Sequence, residues 1–273
     1  MKFLVADECN VVKEDKFGFF MYGGIVISDD EMRPLSQGFQ EIKRELGINK
    51  KRPIKWTNNG WQGEEPFGTD LHKKAKDKIL TLFAESGSKI IVSLSPQDFY
   101  HNVSFIGLKI KSKINIEAYK RSQEYALNTT LKKFNRYLRE TDDMGLVLTD
   151  TFSDDTRLHM TNHCAEIFPN GNGRFTLEKI AYPVIPINNE YSHLHQINDV
   201  VLGAIQYSLR ELGYNSLPRI KERFWKDVSG NDATIYGRGF DIYPKNNNDP
   251  ALEEKIEKLV QKFSRLIAVN IEI

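Results

Sequence analysis

Four acidic residues occupy positions at which carboxylates can bind a metal ion. Asp7 and Glu8 end the first short apolar run of the chain, and Asp150 ends a later one. Asp199 lies inside an amphipathic segment that is predicted to be a helix. A hard cation such as Mg²⁺ prefers oxygen ligands, and carboxylates on separate rigid elements supply both the charge and the geometry. The sequence therefore predicts a divalent-metal site if the fold brings Asp7, Asp150 and Asp199 together.

Each acid also has a simpler interpretation. Asp7 and Asp150 hold positions typical of turn residues after strands, and Asp199 is compatible with the solvated face of a helix. The sequence of the helix around Asp199 argues against a solvated face, because its polar side lacks the lysine and glutamate expected there. Gly203 lies one turn beyond Asp199, where either a ligand or a neighbouring element can approach closely.

The elements that must position these acids alternate between strands and helices, which predicts an α/β fold. Strand-like runs occur at residues 3–6, 17–28, 89–94 and 144–149. Helical periodicity occurs at residues 29–46, 69–86, 114–140, 153–167, 193–212 and 250–266. We expect a core domain over residues 1–212 and a helical C-terminal extension over residues 213–273 that packs on it.

Residues 49–68 form a long predicted loop that is rich in Lys, Arg, Asn, Gly and Pro. Loops of this length are usually functional or mobile. Lys51 and Arg52 offer positive charge to phosphates, and Trp56 and Trp61 offer rings on which unpaired bases can stack. An ordinary solvated loop explains the same residues equally well, so substrate contact and simple solvation both stay open.

Composition sets limits on partners and compartment. The 273 residues include 38 basic and 37 acidic side chains, for a net charge of +1, so attraction to nucleic acid must come from local patches. Two cysteines, Cys9 and Cys164, are too few for a disulfide framework and favour a reducing compartment, which we expect to be the cytoplasm. No signal sequence and no apolar run of roughly 20 residues is present, so we expect no membrane partner.

Other chemical motifs are weak. His159 and His163 lie four residues apart beside Cys164, a spacing that can bind zinc, but no second pair completes the set. The chain has no Gly-x-Ser-x-Gly motif, P-loop or dinucleotide-binding glycine fingerprint. Serine hydrolase, nucleoside triphosphatase and Rossmann dehydrogenase chemistry therefore lack a starting residue.

In order and placement, several short motifs resemble the domain-of-unknown-function family 3800 over roughly residues 1–212. The family's first motif, Asp-Glu-Ser-Gly, reads Asp-Glu-Cys-Asn at residues 7–10, so only its two acids match. Its last motif, Gln-x-x-Asp followed by small and apolar residues, is present at residues 196–199. Its mid-chain motif has an acid shortly before a lysine; this chain keeps Lys55 and lacks the acid.

The resemblance implies a ribonuclease H-like fold, a mixed sheet flanked by helices, with a nuclease site. It assigns Asp7, Asp150 and Asp199 as ligands of two Mg²⁺ or Mn²⁺ ions that flank a phosphodiester, which is the two-metal mechanism. Glu8 is implied as a further catalytic acid or as one that orients the others, because strand alternation turns it away from Asp7.

The same resemblance implies supporting roles for three more residues. Lys55 would neutralise the charge of the phosphate. His195 and Gln196 would support the metal ligands and contact the substrate. The loop composition, separately from the resemblance, makes Lys51, Arg52 and Trp56 candidates for substrate contact.

The leading interpretation is therefore a metal-dependent nuclease. The alternative is a non-catalytic nucleic-acid-binding or scaffold protein with a degenerate site, which is favoured by the changed residues after Glu8 and by the missing acid before Lys55. A phosphohydrolase acting on nucleotides would share the same site. The sequence leaves open DNA or RNA, internal or terminal cleavage, and whether the chain binds a second copy or another protein.

Overall fold

The computed structural model describes ten stretches of the chain. They are residues 1–10, 19–96, 116–150, 162–167, 176–181, 185–188, 192–210, 216–226, 235–242 and 250–268. The strands are β1 (Lys2–Asn10), β2 (Phe19–Ser28), β3 (Lys89–Pro96), β4 (Gly145–Asp150), β5 (Ile185–Ile187) and β6 (Phe240–Ile242). The helices are α1 (Asp29–Glu45), α2 (Thr69–Glu85), α3 (Ile116–Glu140), α4 (His193–Leu209), α5 (Leu217–Ile220) and α6 (Pro250–Ala268).

The six strands form one mixed sheet in the order β5-β4-β1-β2-β3-β6. β2 runs antiparallel to both of its neighbours, β1 and β3, whereas β4 is parallel to β1, β5 to β4 and β6 to β3. The prediction of an α/β protein with a mixed sheet, flanking helices and a C-terminal helix is confirmed. The predicted helix at residues 153–167 is described only over residues 162–167, which are helical, and its start lies outside the described residues.

The sheet separates two hydrophobic cores. The α4-side core contains Val5 from β1 together with residues of α1, α2 and α4. The α3-side core contains Leu4 and Ala6 from β1 together with residues of α3 such as Phe134. Successive side chains of a strand point to opposite faces, so β1 contributes alternate residues to each core.

Helix α1 shows how local sequence produces these elements. Leu35, Phe39 and Ile42 follow the helical period and are buried, as the spacing predicts. Three acids at residues 29–31 stand in the first turn, where they favour the positive end of the helix dipole. Gly47, with φ +66°, follows the end of the helix in a conformation that glycine adopts without strain.

The C-terminal part of the chain completes the sheet. β6 lies beside β3 at the edge opposite β5. Phe263 of α6 stacks on Phe240 of β6 at 3.7 Å between ring centroids, and its edge meets Phe224. The described residues beyond 212 therefore contribute both an edge strand and a covering helix.

Among the helices of the described residues, none combines the length and the apolar content required to cross a lipid bilayer.

Candidate active site

Asp7 and Asp150 lie side by side at the ends of two parallel strands. In the register of β1 with β4, Ala6 pairs with Thr149, and the two aspartates follow directly. Ala6 belongs to the α3-side core, and the Thr149 hydroxyl lies 3.1 Å from that of Tyr22 in the same core. Alternation therefore turns both aspartates towards α4, on strands about 4.8 Å apart.

Asp199 reaches the same place from α4, which packs across β1 and β2. The helix comes close because β2 has a glycine beneath it: a Cβ atom at Gly24 would lie 2.7 Å from Asn198 Oδ1. The fold thus brings together Asp7, Asp150 and Asp199, the three acids predicted to form the site.

The three carboxylates influence one another electrostatically. Burial raises the pKa of Asp7 well above its usual value, and the charges of Asp150 and Asp199 raise it further. Burial also raises the pKa of Asp199, against the opposing effects of the Trp56 N–H group and the Lys55 charge. The side chains of all three acids are half-buried. This excess of negative charge is reduced when the cluster takes up a proton or a cation.

The donor chemistry fits a hard cation, although the present side-chain positions do not enclose one. Within the described stretches, no three His, Cys, Asp or Glu side chains are arranged to hold a metal ion. Asp7 Oδ1 accepts the Glu8 N–H at 2.7 Å, and Asp199 Oδ2 accepts the Trp56 N–H at 2.5 Å. Enclosing a cation would therefore require the side chains to move from these positions.

Glu8 lies on the opposite face of the sheet from Asp7, as strand alternation predicts. Its carboxylate accepts a hydrogen bond from Gln123 of α3 at 3.5 Å. Among the causes that raise the pKa of Asp7, the charge of Glu8 is the smallest. Glu8 is therefore separated from the acids of the α4 side by the backbone of β1.

A strap of the long loop, Ile54 to Trp56, covers the polar side of α4. The Ile54 N–H donates to Gln196 Oε1 at 3.0 Å, and the Trp56 N–H donates to Asp199. Between them, the Lys55 carbonyl oxygen lies 2.8 Å from His72 Nε2. The strap explains why this side of α4 lacks lysine and glutamate, and it places the charge of Lys55 beside Asp199.

The ring of Trp56 packs into the protein, with the residue only 9% exposed. It lies directly on Gly203, where any Cβ atom would be well inside van der Waals contact with Trp56. Tyr207 meets the ring edge at 5.1 Å between centroids, and the Lys76 amine lies 4.1 Å from the ring centre. In this arrangement Trp56 shapes the site by packing and does not present a face on which a base can stack.

His195 is buried beside Asp150. Burial lowers the pKa of this histidine, while the Asp150 charge and the Leu148 carbonyl oppose that shift. Its Nδ1 atom lies 2.9 Å from the hydroxyl of Ser192, the N-cap of α4. His195 therefore adjoins the acids as a fixed, largely neutral group.

Arg52 and Lys51, the two loop residues predicted to contact phosphates, differ in how accessible their side chains are. Arg52 pairs with Glu64 at 3.0 Å, and its guanidinium lies 3.7 Å from the ring centre of Phe67. The Arg52 side chain thus holds the loop together. Lys51 is exposed and faces a pocket beside α1.

Cys9 is a neighbour of the acids that the sequence did not single out. It follows Asp7 by two residues on the same face of β1 and packs against the α4-side core. Burial raises the pKa of its thiol well above the usual value, and the charges of Asp7 and Asp199 add to this. The thiol is therefore neutral at physiological pH.

Lys43 is one of the basic residues that precede the loop, and its burial is not predicted from the sequence. It is 2% exposed, and its ammonium donates to the carbonyl oxygens of Lys50 at 3.1 Å and Arg52 at 2.6 Å. Lys43 thereby anchors to α1 the segment that precedes the strap. The available signal was its position four residues after Phe39, which places it on the buried stripe of α1.

Replacing Lys43 by Met should change how stability depends on pH. Burial lowers the pKa of Lys43 to about 8, so the folded protein releases this proton more easily than the unfolded chain. Wild-type stability should therefore rise relative to Lys43→Met as pH increases from about 8 to 10.4, by about 1.4 kcal/mol for each pH unit between the folded and unfolded pKa values. Urea unfolding at several pH values measures this difference, and parallel profiles would contradict it.

The predicted zinc spacing is only partly within the described residues. His163 Nε2 lies 3.0 Å from Asn128 Oδ1 of α3. Cys164 is buried in the α3-side core, which raises the pKa of its thiol to about 12. His159 lies outside the described residues.

Comparison of the chain with protein-family models, curated proteins and solved structures finds no match in any of the three. The resemblance to family 3800 therefore stays a prediction.

Proposed function

We propose that the protein is a divalent-metal-dependent nuclease with a ribonuclease H-like arrangement of its site. One observation carries the proposal: Asp7 and Asp150 stand side by side on parallel strands and face Asp199 on α4. The resemblance implies that acids of a first strand, a later strand and a late helix bind the metal. The three acids are partly exposed, as residues that contact a substrate must be.

In this proposal, Asp7, Asp150 and Asp199 would hold two Mg²⁺ or Mn²⁺ ions. Ions bound there would supply an activated water and stabilise the leaving oxygen of the phosphodiester. Lys55, whose charge already acts on Asp199, would neutralise part of the phosphate charge.

The remaining residues of the site position these groups. The Trp56 N–H fixes one oxygen of Asp199, and Gln196 fixes the strap through Ile54. The largely neutral imidazole of His195 beside Asp150 would help to orient that carboxylate and, lacking a positive charge, would not compete with a metal ion for it.

A cleavage assay tests this function. Purified protein should cut single-stranded or duplex DNA or RNA when Mg²⁺ or Mn²⁺ is present, and EDTA should stop it. Asp7→Asn, Asp150→Asn and Asp199→Asn should each lower the rate by about 100-fold or more, because each removes a charge from the metal site.

Asp142→Asn is the matched control, since Asp142 is exposed and has φ +48°, which asparagine tolerates well. This variant should keep full activity. Cleavage that survives all three site substitutions would reject the proposal. Hydrolysis of nucleotides without cleavage of any polymer would support the same site with a different substrate.

The second candidate function is a binding or scaffold protein that does no chemistry. It is favoured by the hydrogen bond that occupies one oxygen of Asp199 and by the lack of a closed metal-binding group among the described residues. Calorimetry without any Mg²⁺ or Mn²⁺ binding, together with unchanged nucleic-acid binding by Asp199→Asn, would favour this candidate over the nuclease.

A further inference from the structure

A pocket of about 1090 Å³ opens between α1, the start of the long loop and the first turn of α4. Its walls include Gln37 and Arg44 from α1, Lys51 and Trp61 from the loop, and Gln196 from α4. Its volume slightly exceeds the range of about 300–1000 Å³ for small-molecule sites. The pocket therefore has room for part of a flexible polymer as well as for a small ion.

The pocket is strongly basic. Lys43, Arg44, Lys50 and Lys51 line it, whereas Glu41 is the one acidic side chain among its described lining residues and is paired with Arg44. Lys50 and Lys51 are exposed, and neither has an ion-pair partner in the part of the chain that the structure describes. In a chain of net charge +1, this concentration of positive charge favours a polyanion at this place.

Trp61 supplies an aromatic wall on a rigid turn. The backbone groups of Trp61 and Glu64 bond to each other at 2.8 and 3.2 Å, and Gln62 and Gly63 between them have positive φ. The ion pair of Arg52 with Glu64 fixes this turn to the loop. Unlike Trp56, Trp61 is only half-buried and lines the pocket, so its ring can meet an unpaired base.

The pocket adjoins the acids through α4. Gln196 lines the pocket and lies one helical turn before Asp199, a rise of about 5 Å. Gln196 and Asp199 also hold the same strap of the loop. The pocket therefore ends about one helical turn from Asp199, on the same side of α4 as the strap.

We infer that this basic pocket binds an unpaired stretch of single-stranded nucleic acid whose next phosphodiester reaches Asp7, Asp150 and Asp199. This deepens the proposed function and rests on it for the position of the scissile bond. A duplex keeps its bases stacked and paired, so it can meet the lysines but cannot place a base against Trp61 inside a concave pocket. The pocket thus selects unpaired strands, whether DNA or RNA.

Fluorescence anisotropy tests the inference without any need for cleavage. A labelled single-stranded oligonucleotide and its duplex, each as DNA and as RNA, are titrated with protein in EDTA. The single strand should bind at least tenfold more tightly than the duplex. The double variant Lys50→Glu/Lys51→Glu should weaken single-strand binding tenfold or more and make the salt dependence shallower by about 1.4, or 0.7 for each lost phosphate contact. Trp61→Ala should weaken it about tenfold.

The matched control reverses two exposed lysines of α2, Lys73→Glu/Lys74→Glu, and should bind as the wild type does. Circular dichroism confirms that each variant is folded. Equal or tighter duplex binding, or pocket variants that bind normally, would overturn the inference.

The result also separates this inference from the proposed function. Selective single-strand binding without any cleavage would leave the pocket assignment intact and reject the nuclease. Metal-dependent cleavage at the same rate in the wild type and the pocket variants would support the nuclease and reject the pocket assignment.

Discussion

Asp7→Asn is expected to make the protein more stable, rather than less, when divalent cations are absent. Asp7 is crowded by burial and by the charges of Asp150 and Asp199, all of which raise its pKa. Asparagine keeps the size of the side chain and an oxygen that can accept the Glu8 N–H, while it removes the charge. We expect a gain of roughly 0.5–2 kcal/mol at pH 7, typical of a stabilising substitution.

The sign follows from proton binding. The folded protein holds the Asp7 proton more tightly than the unfolded chain does, whose carboxyl has a pKa of about 3.9. Wild-type stability therefore falls as pH rises from about 4 through the raised folded pKa, and Asp7→Asn lacks this fall. The difference between the two proteins should be large at pH 7 and nearly absent below pH 4.

Divalent cations should reverse this order of stability and make the wild type more stable than Asp7→Asn. A cation that binds only the folded state adds RT ln(1 + [L]/Kd) to stability, so Mg²⁺ or Mn²⁺ should raise the melting temperature of the wild type. Asp7→Asn should respond little, and Asp142→Asn should respond as the wild type does. Thermal unfolding in EDTA and in millimolar MnCl₂ at pH 4 and 7 measures all three. If Asp7→Asn were less stable in EDTA and the wild type gave no shift with either cation, the metal site would be rejected.

Gly203→Ala is expected to damage both stability and the site. A Cβ atom there would overlap Trp56, and one of the overlapped atoms is the Trp56 Cβ, which no side-chain rotation can move. The strap must therefore move away from α4, at a cost of about 1–3 kcal/mol. Movement of the Trp56 N–H frees Asp199 and displaces Lys55, so any metal-dependent activity should fall even where the protein stays folded.

Gly38→Ala in α1 is the matched control. Its Cβ atom would come within 2.6 Å of a Leu82 methyl carbon, but that is the end of a flexible side chain. Alanine is also better than glycine inside a helix by about 1 kcal/mol. We expect Gly38→Ala to change the free energy of unfolding in urea very little, and Gly203→Ala to lower it clearly. Similar losses of stability in the two variants would show that the strap is not held tightly.

The helices and strands were largely predictable because each local pattern reports which side of an element is buried. The spacing of Leu35, Phe39 and Ile42 predicted α1, and the apolar run before Asp150 predicted β4. The burial of Lys43 was not predictable because a lysine on a buried stripe is uncommon, and only the two carbonyl oxygens that accept from its ammonium explain it.

The sequence does not indicate which side chains of the long loop are buried and which are accessible to a substrate. Trp56 and Trp61 stand five residues apart in the same polar segment, yet one is packed against Gly203 and the other lines the basic pocket. Likewise Arg52 is held by Glu64 while the neighbouring Lys51 is exposed. A loop has no period that indicates which of its side chains face inwards, so the interpretation of substrate contact rested on residue type alone.

The sequence by itself determined where each acid stands in its own element, and strand alternation separated Asp7 from Glu8. Tertiary structure decided that Asp7, Asp150 and Asp199 meet, because this depends on strand order, on register and on a glycine beneath α4. It also decided that the strap is bound to α4 across more than 140 positions of sequence. Contacts between such distant residues depend on how the elements pack, and local sequence patterns carry no record of that packing.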